Sequence, residues 1–243
     1  MKKIPLFVLV LSVSLSLSAV TSREILDAVD EKMSFDSASF SATLVNRDKF
    51  GETKISFDTY EKGNGDTLLS VTSGSDRGQR ILRLGDEIYI YYPDADETVR
   101  LSSSGLKDSF LGSDFSYEDL TGDNDWDVRY SHSLEGGAEI DGISCYVLFL
   151  EAKKRSETYQ KERIYVDSER MVPLKMELYS RSGKLLKEVY YSSYITDGEI
   201  YFPGKVEIVN AVKNDSSSLM TIDDMVFNAD IDETYFDSGE LSW

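Results

Sequence analysis

The chain has one cysteine and one histidine in 243 residues, and only 26 lysines and arginines against 44 aspartates and glutamates. Each shortage closes off a class of function. With Cys145 alone there is no intramolecular disulfide, and its place in the apolar run CYVLFL makes it a buried, inert thiol. With His132 alone there is no histidine-rich metal centre, and no Gly-x-Ser-x-Gly elbow offers that histidine a nucleophile to activate. Glycine-rich phosphate loops, long βαβ spacings and internal repeats are missing too, which argues against a nucleotide-binding α/β fold. So acidic a surface repels phosphate backbones and anionic headgroups, because binding either relies on Lys and Arg neutralising negative charge. Nucleic acid is therefore not an expected partner. Any lipid must be reached through apolar contact or a docking partner.

The N-terminus carries an export signal. Lys2 and Lys3 precede an apolar stretch from Ile4 to Leu17, and Ser16, Ser18 and Ala19 supply small residues for cleavage. The stretch is too short, and too abruptly ended by Thr21, Ser22, Arg23 and Glu24, for a membrane span. Residues 1–19 are expected to be a signal peptide and residues 20–243 one exported domain, with no cysteine placed to carry a lipid. Losing Lys2 and Lys3 leaves 24 basic residues against 44 acidic ones, so the net charge moves from −18 to −20.

Past the signal, Ile25, Leu26, Val29 and Met33 share one helix face, with Thr21 or Ser22 as N-cap. Period two then takes over. Phe40, Ala42 and Leu44 alternate with serine and threonine, Ile55 and Phe57 with Lys54, Ser56 and Asp58, and Val172, Leu174, Met176 and Leu178 with Pro173, Lys175 and Glu177. Further strands are expected near 67–72, 79–84, 87–92, 97–101, 127–132, 144–151, 161–167, 185–195, 204–212 and 218–227. Turn signals such as Gly63-Asn64-Gly65-Asp66, Asp141-Gly142, Ser182-Gly183 and Asp197-Gly198 join several of them into an antiparallel meander. A meander of ten or more strands with one apolar face must curl or be covered. Helical cover is scarce: residues 22–34, 105–111 and a short piece near 232–236. The fold expected is mostly β, an antiparallel half-open β-barrel with short helices at its mouth, either filled by side chains or holding an apolar ligand.

Signals for chemistry are weak. Asp123, Asp125 and Asp127 alternate as calcium-loop ligands do, but Val128 stands where the loop needs glycine and Leu134 where it needs glutamate. His132 reads as a surface or strand-end residue. Glu118 and Asp119 are adjacent, a poor arrangement for a cooperating acid and base, and they suit a turn or a helix N-terminus. Neither a metal nor a cofactor is expected, and an enzyme is not the favoured reading.

The richest stretch is Arg77–Leu120, where two aromatic strands lead into a loop bearing Phe110, Phe115 and Tyr117 among small and acidic residues. Such rings either plug one end of the core or guard an apolar cavity. The composition of Gly112, Ser113, Asp114 and Ser116 suggests mobility and solvent contact, so the gate is the expected role for Phe115. EIYIYYP (87–93) and GSDFSYEDL (112–120) resemble the periplasmic outer-membrane lipoprotein-sorting family (LolA-like). The resemblance implies an unclosed barrel in the periplasm whose cavity takes up the acyl chains of a lipoprotein or lipid. It also implies an inner-membrane donor transporter and an outer-membrane acceptor. Ile88, Tyr89, Ile90, Tyr91, Phe110, Phe115, Tyr117, Leu174, Met176 and Leu178 are then the lipid-binding candidates, as cavity wall or gate. Two other readings remain open: a periplasmic sensor or adaptor that binds a protein partner, and an outer-membrane barrel. The barrel lacks clean lipid-facing stripes where Lys54, Asp58, Lys175 and Glu177 point outward.

Overall fold

A computed structural model describes residues 20–85, 87–102, 105–121 and 126–242. Residues 1–19, expected to be a signal peptide, and Asp123, Asp125 and Trp243 lie outside the described residues.

The first element is helix α1 (Ser22–Met33). It starts where the sequence says it should, because Thr21 and Glu24 form a reciprocal capping box that satisfies backbone donors the first turn leaves free. Its buried stripe is Ile25, Leu26 and Val29.

Two antiparallel meanders follow. The first comprises β1 (Ser37–Asp48), β2 (Gly51–Lys62), β3 (Thr67–Val71), β4 (Arg80–Leu84), β5 (Glu87–Tyr92) and β6 (Glu97–Arg100). Residues 101–129 then cross to the second and include the short helices α2 (Tyr117–Thr121) and α3 (Trp126–Arg129). The second meander comprises β7 (Tyr130–Ile140), β8 (Ile143–Ala152), β9 (Lys161–Asp167), β10 (Pro173–Tyr179) and β11 (Leu185–Ser192). A separate hairpin, β12 (Ile195–Asp197) and β13 (Ile200–Phe202), precedes β14 (Lys205–Asn210) and β15 (Ser217–Phe227). The meanders fuse where β15 pairs with β1, with Ala42 opposite Ile222 and Leu44 opposite Met220. The result is one 13-stranded sheet, β6-β5-β4-β3-β2-β1-β15-β14-β11-β10-β9-β8-β7, with β6 and β7 at its two free edges. The sheet is mostly antiparallel β structure and is not closed into a barrel, as expected.

Both faces follow from strand alternation. The inner face carries the main core, including Leu44, Phe57, Ile81, Ile90, Leu148, Leu150, Ile164 and Ile208, and it is capped by α1 and by Phe110, Phe115 and Trp126 from the crossing segment. On the outer face, β9 and β10 present mainly polar residues. Arg163 pairs with Glu135 at 2.8 Å and Lys175 with Glu188 at 2.6 Å, contacts that favour solubility more than stability. The outer face of β3–β5 is different, because Leu68, Leu82 and Tyr91 form a second buried cluster with Leu241.

That second cluster corrects one expectation. The C-terminal turn Glu233–Phe236 does not sit at the mouth; Tyr235 and Phe236 pack on the outer cluster, with Tyr60 and Tyr235 edge to face at 4.7 Å. Apolar residues on both faces of β3–β5 require cover on both sides. Residues 127–129, expected to open a strand, belong to α3, and the strand runs from Tyr130 on to Ile140. It passes Gly136 at φ 144° with a break in register there, a bulge that alternation could not reveal. The expected helix at 105–111 is two 3-10 turns, Gly105–Lys107 and Phe110–Gly112. The expected strand 185–195 ends at Ser192, followed by Ser193 at φ 53°. Among the described residues no helix is long and apolar enough to cross a membrane.

Candidate functional site

The crossing segment joins the two free edges and lies over the inner face, so it occupies the position a lid would. Its backbone doubles back tightly. Phe110 N–H donates to the Phe115 carbonyl at 2.8 Å, Ser113 N–H to the Phe110 carbonyl at 2.9 Å, and Ser109 bridges Ser116. Leu111 at φ 47° and Gly112 at φ 76° make the reversal possible. A leucine in that left-handed region is held there at about 1–2 kcal/mol. The reversal aims two rings inward. Phe110 is 1 % exposed and Phe115 2 %, and Phe110 stands edge to face with Phe57 at 5.8 Å and with Tyr117 at 5.6 Å. Tyr117 is part-buried, and burial pushes its phenol up to about 12.

The loop is therefore buried from Ser113 to Ser116, with Gly112 exposed, which overturns the expectation drawn from its small polar residues. Ser113, Asp114 and Ser116 are all buried, because each meets a specific partner. Asp114 accepts from Asn210 Nδ2 at 2.8 Å and from Ser216 Oγ at 2.7 Å, while its own N–H donates to Ser218 Oγ at 2.8 Å. One carboxylate thus pins the loop to the β14–β15 turn. Asp119 makes a second pin, accepting from Tyr159 Oη at 2.8 Å, Lys187 Nζ at 2.6 Å and Ser116 N–H at 2.8 Å. Burial, then the Asp119 charge and hydrogen bond, raise the Tyr159 phenol far above its usual range. Glu118 adds a third pin, bonding Thr158 and pairing with Arg129 at 3.1 Å. The adjacent acids 118 and 119 thus serve as anchors to separate sets of partners.

The candidates named from sequence divide by face. Ile88, Ile90, Met176 and Leu178 belong to the inner cluster with Phe110 and Phe115, and Tyr117 packs against it. Tyr89 and Tyr91 belong with the outer cluster, since successive residues on a strand point to opposite sides; this removes both from the inner set. Leu174 is 8 % exposed, lies at a break in register and joins neither cluster. Part of the inner lining stays reachable: Tyr146, Met171, Tyr191 and Ile195 are only part-buried against the main core. Phe202 also lies there, 5.3 Å from Phe40 and 6.0 Å from Phe35.

Sequence reasoning missed Asp114, Trp126, Tyr130, Glu162 and Lys187. Only Glu162 left a legible signal, as a carboxylate sharing a strand face with Ile164 and Val166. It is 4 % exposed, and burial pushes its carboxyl up to about 7. His132 is tied by its ring nitrogens to Ser22 Oγ at 2.9 Å and Asp127 at 3.0 Å, joining the start of α1 to α3. Its partner Asp127 is held below the usual carboxylate range, first by that hydrogen bond and then by Arg23. Among the described residues no His, Cys, Asp and Glu cluster is arranged to hold a metal ion.

The open sheet has known counterparts. A family model described as that of an uncharacterized protein matches residues 63–243. A LolA superfamily protein from Nitrosomonas europaea superposes with TM-score 0.74 at 27% identity, over 90% of this chain and 98% of that one. A protein domain named for outer-membrane lipoprotein sorting, from Vibrio parahaemolyticus, superposes with TM-score 0.83 at 19% identity, over 90% and 97%. The chain belongs to the LolA-like family. A DUF1329 family protein from Desulfovibrio piger shares the LolA-like fold as well, with TM-score 0.83 at 21% identity over 90% of this chain and 96% of that one. No curated protein matches the chain.

Proposed function

We propose that this LolA-like protein is a binding protein rather than an enzyme, and that residues 20–243 form one exported carrier domain working in the periplasm. Its cargo is the acyl part of a lipoprotein or lipid, held on the inner face and carried toward the outer membrane. One observation supports this reading above the others. The apolar inner face of an unclosed sheet is covered by α1 and the crossing segment rather than by strands. That segment is pinned through polar contacts of Asp114, Glu118 and Asp119. A cover held by a few exchangeable hydrogen bonds can lift without breaking a strand ladder. Acyl chains would replace Phe110 and Phe115 against Ile88, Ile90, Met176 and Leu178, driven by removing apolar surface from water at about 25 cal/mol per Å². Such transfer needs no nucleotide. A donor transporter at the inner membrane and an acceptor at the outer membrane would give the movement its direction.

A second reading has its own support. The inner face is already filled by side chains as buried as Phe110, Phe115 and Tyr130, which suits a periplasmic sensor or adaptor that binds a protein partner. A fluorescent fatty-acyl probe titrated into the folded mature protein separates the two. We expect saturation near one probe per chain, and lipid in the mass spectrum of the purified protein. Absence of both, in a sample shown folded by circular dichroism, would establish the adaptor reading instead.

A further inference from the structure

The inner face contains a carboxylate whose surroundings suit a hydrogen-bonding ligand better than a structural ion pair. Glu162 lies on β9 beside Ile164 and Val166 and is 4 % exposed. The Trp126 indole and the Tyr130 hydroxyl hydrogen-bond it, yet its Oε2 has no hydrogen-bond partner among the described residues. A buried acceptor left open carries the desolvation penalty with no bond to offset it, so folds rarely keep one without a use.

The surrounding bonds define what Glu162 can accept. Tyr130 Oη already donates its proton to the Tyr159 carbonyl at 3.1 Å. The hydroxyl proton is thus shared between that carbonyl and Glu162, whose carboxyl, pushed up by burial, the Tyr130 and Trp126 contacts both lower. Glu162 accepts from both neighbours, and its Oε2 is left open. The part-buried Tyr191, whose hydroxyl donates to Met176 Sδ at 3.2 Å, adjoins Glu162 closely enough to feel its charge. An open acceptor is thus set in the wall that holds Met176.

We propose that Glu162 Oε2 is the polar contact for a bound amphiphile, accepting a hydrogen bond from an amide N–H or hydroxyl at the head of its acyl chain. This deepens the carrier reading above and rests on it. A free fatty acid at neutral pH presents a carboxylate, which has no proton to donate to Glu162 Oε2. The site would therefore select acyl amides and glycerol esters over fatty-acid anions.

Two probes with the same fluorophore and chain, one ending in a primary amide and one in a carboxylate, test this on the mature protein at pH 7.5. The wild type is expected to bind the amide about tenfold more tightly, the worth of one well-placed hydrogen bond. Glu162→Gln, which keeps a carbonyl acceptor at the same place, should retain the preference. Glu162→Met, unbranched and of similar size, should bind both probes equally, with carboxylate affinity undiminished. Equal binding of the two probes by wild type, or a preference that survives in Glu162→Met, would overturn the assignment and leave the carrier reading intact. Failure of both probes to bind folded wild type would remove the carrier reading and this inference together.

Discussion

Replacing Phe115 by alanine tests whether the crossing segment is part of the core. The ring is 2 % exposed and sits in the main cluster beside Phe110. A buried aromatic removes about 150 Å² or more of apolar surface from water. At 25 cal/mol per Å² that is about 4 kcal/mol, within the roughly 3–5 kcal/mol measured when buried Phe is truncated. The backbone contacts, Phe110 N–H to the Phe115 carbonyl and Phe115 N–H to Ser113 Oγ, do not depend on the ring and should survive. Urea denaturation followed by circular dichroism is therefore expected to give an unchanged slope and a midpoint lowered by the equivalent of about 4 kcal/mol. The same sample reports on the lid. If the loop must leave the inner face before cargo enters, weakening its packing raises the open fraction, about tenfold for each 1.4 kcal/mol expressed locally. Acyl-probe affinity should then tighten by several-fold. A loss below about 1 kcal/mol would refute the burial argument, whereas a full loss with unaltered affinity would mean that the rings plug the core and do not gate it.

Other consequences follow from the same geometry. Leu241→Ala, at a 1 % exposed position of the outer cluster, should reduce stability by about 2–5 kcal/mol and leave probe affinity per folded molecule unchanged; altered affinity would show that the two faces are coupled. Glu162, raised to about 7 from 4.5 by burial, binds its proton more tightly folded than unfolded. Its stabilising contribution is complete below pH 4.5 and is lost as pH rises through 7, by about 3 kcal/mol in all. Glu61, also pushed up to about 7 by burial, acts in the same direction. Chemical denaturation from pH 4.5 to 8 should show this fall in the wild type and a shallower one in Glu162→Gln. An identical profile in both would show that Glu162 is not the titrating group.

Sequence alone determined the parts of this protein that depend on near neighbours. The capping box at Thr21 and Glu24, the two-residue alternation through Phe40, Ala42 and Leu44, and the glycine turns each express a local preference. Together they dictated a long antiparallel meander with one apolar face, which had to curl or be covered. The motif GSDFSYEDL carried the family resemblance without disclosing why its residues matter. Asp114 and Asp119 act on Asn210, Ser216 and Lys187, partners 68 to 102 residues away, and no periodicity encodes such contacts. Loop composition misled for the same reason. Small polar residues signal solvent when their partners are water, and here their partners are a distant turn and a strand. Strand alternation made Ile88 and Tyr89 face opposite ways, but which face was inner depended on where α1 and the C-terminal segment came to rest. Tertiary structure alone decided that, because cover is a property of assembled layers and not of any one strand.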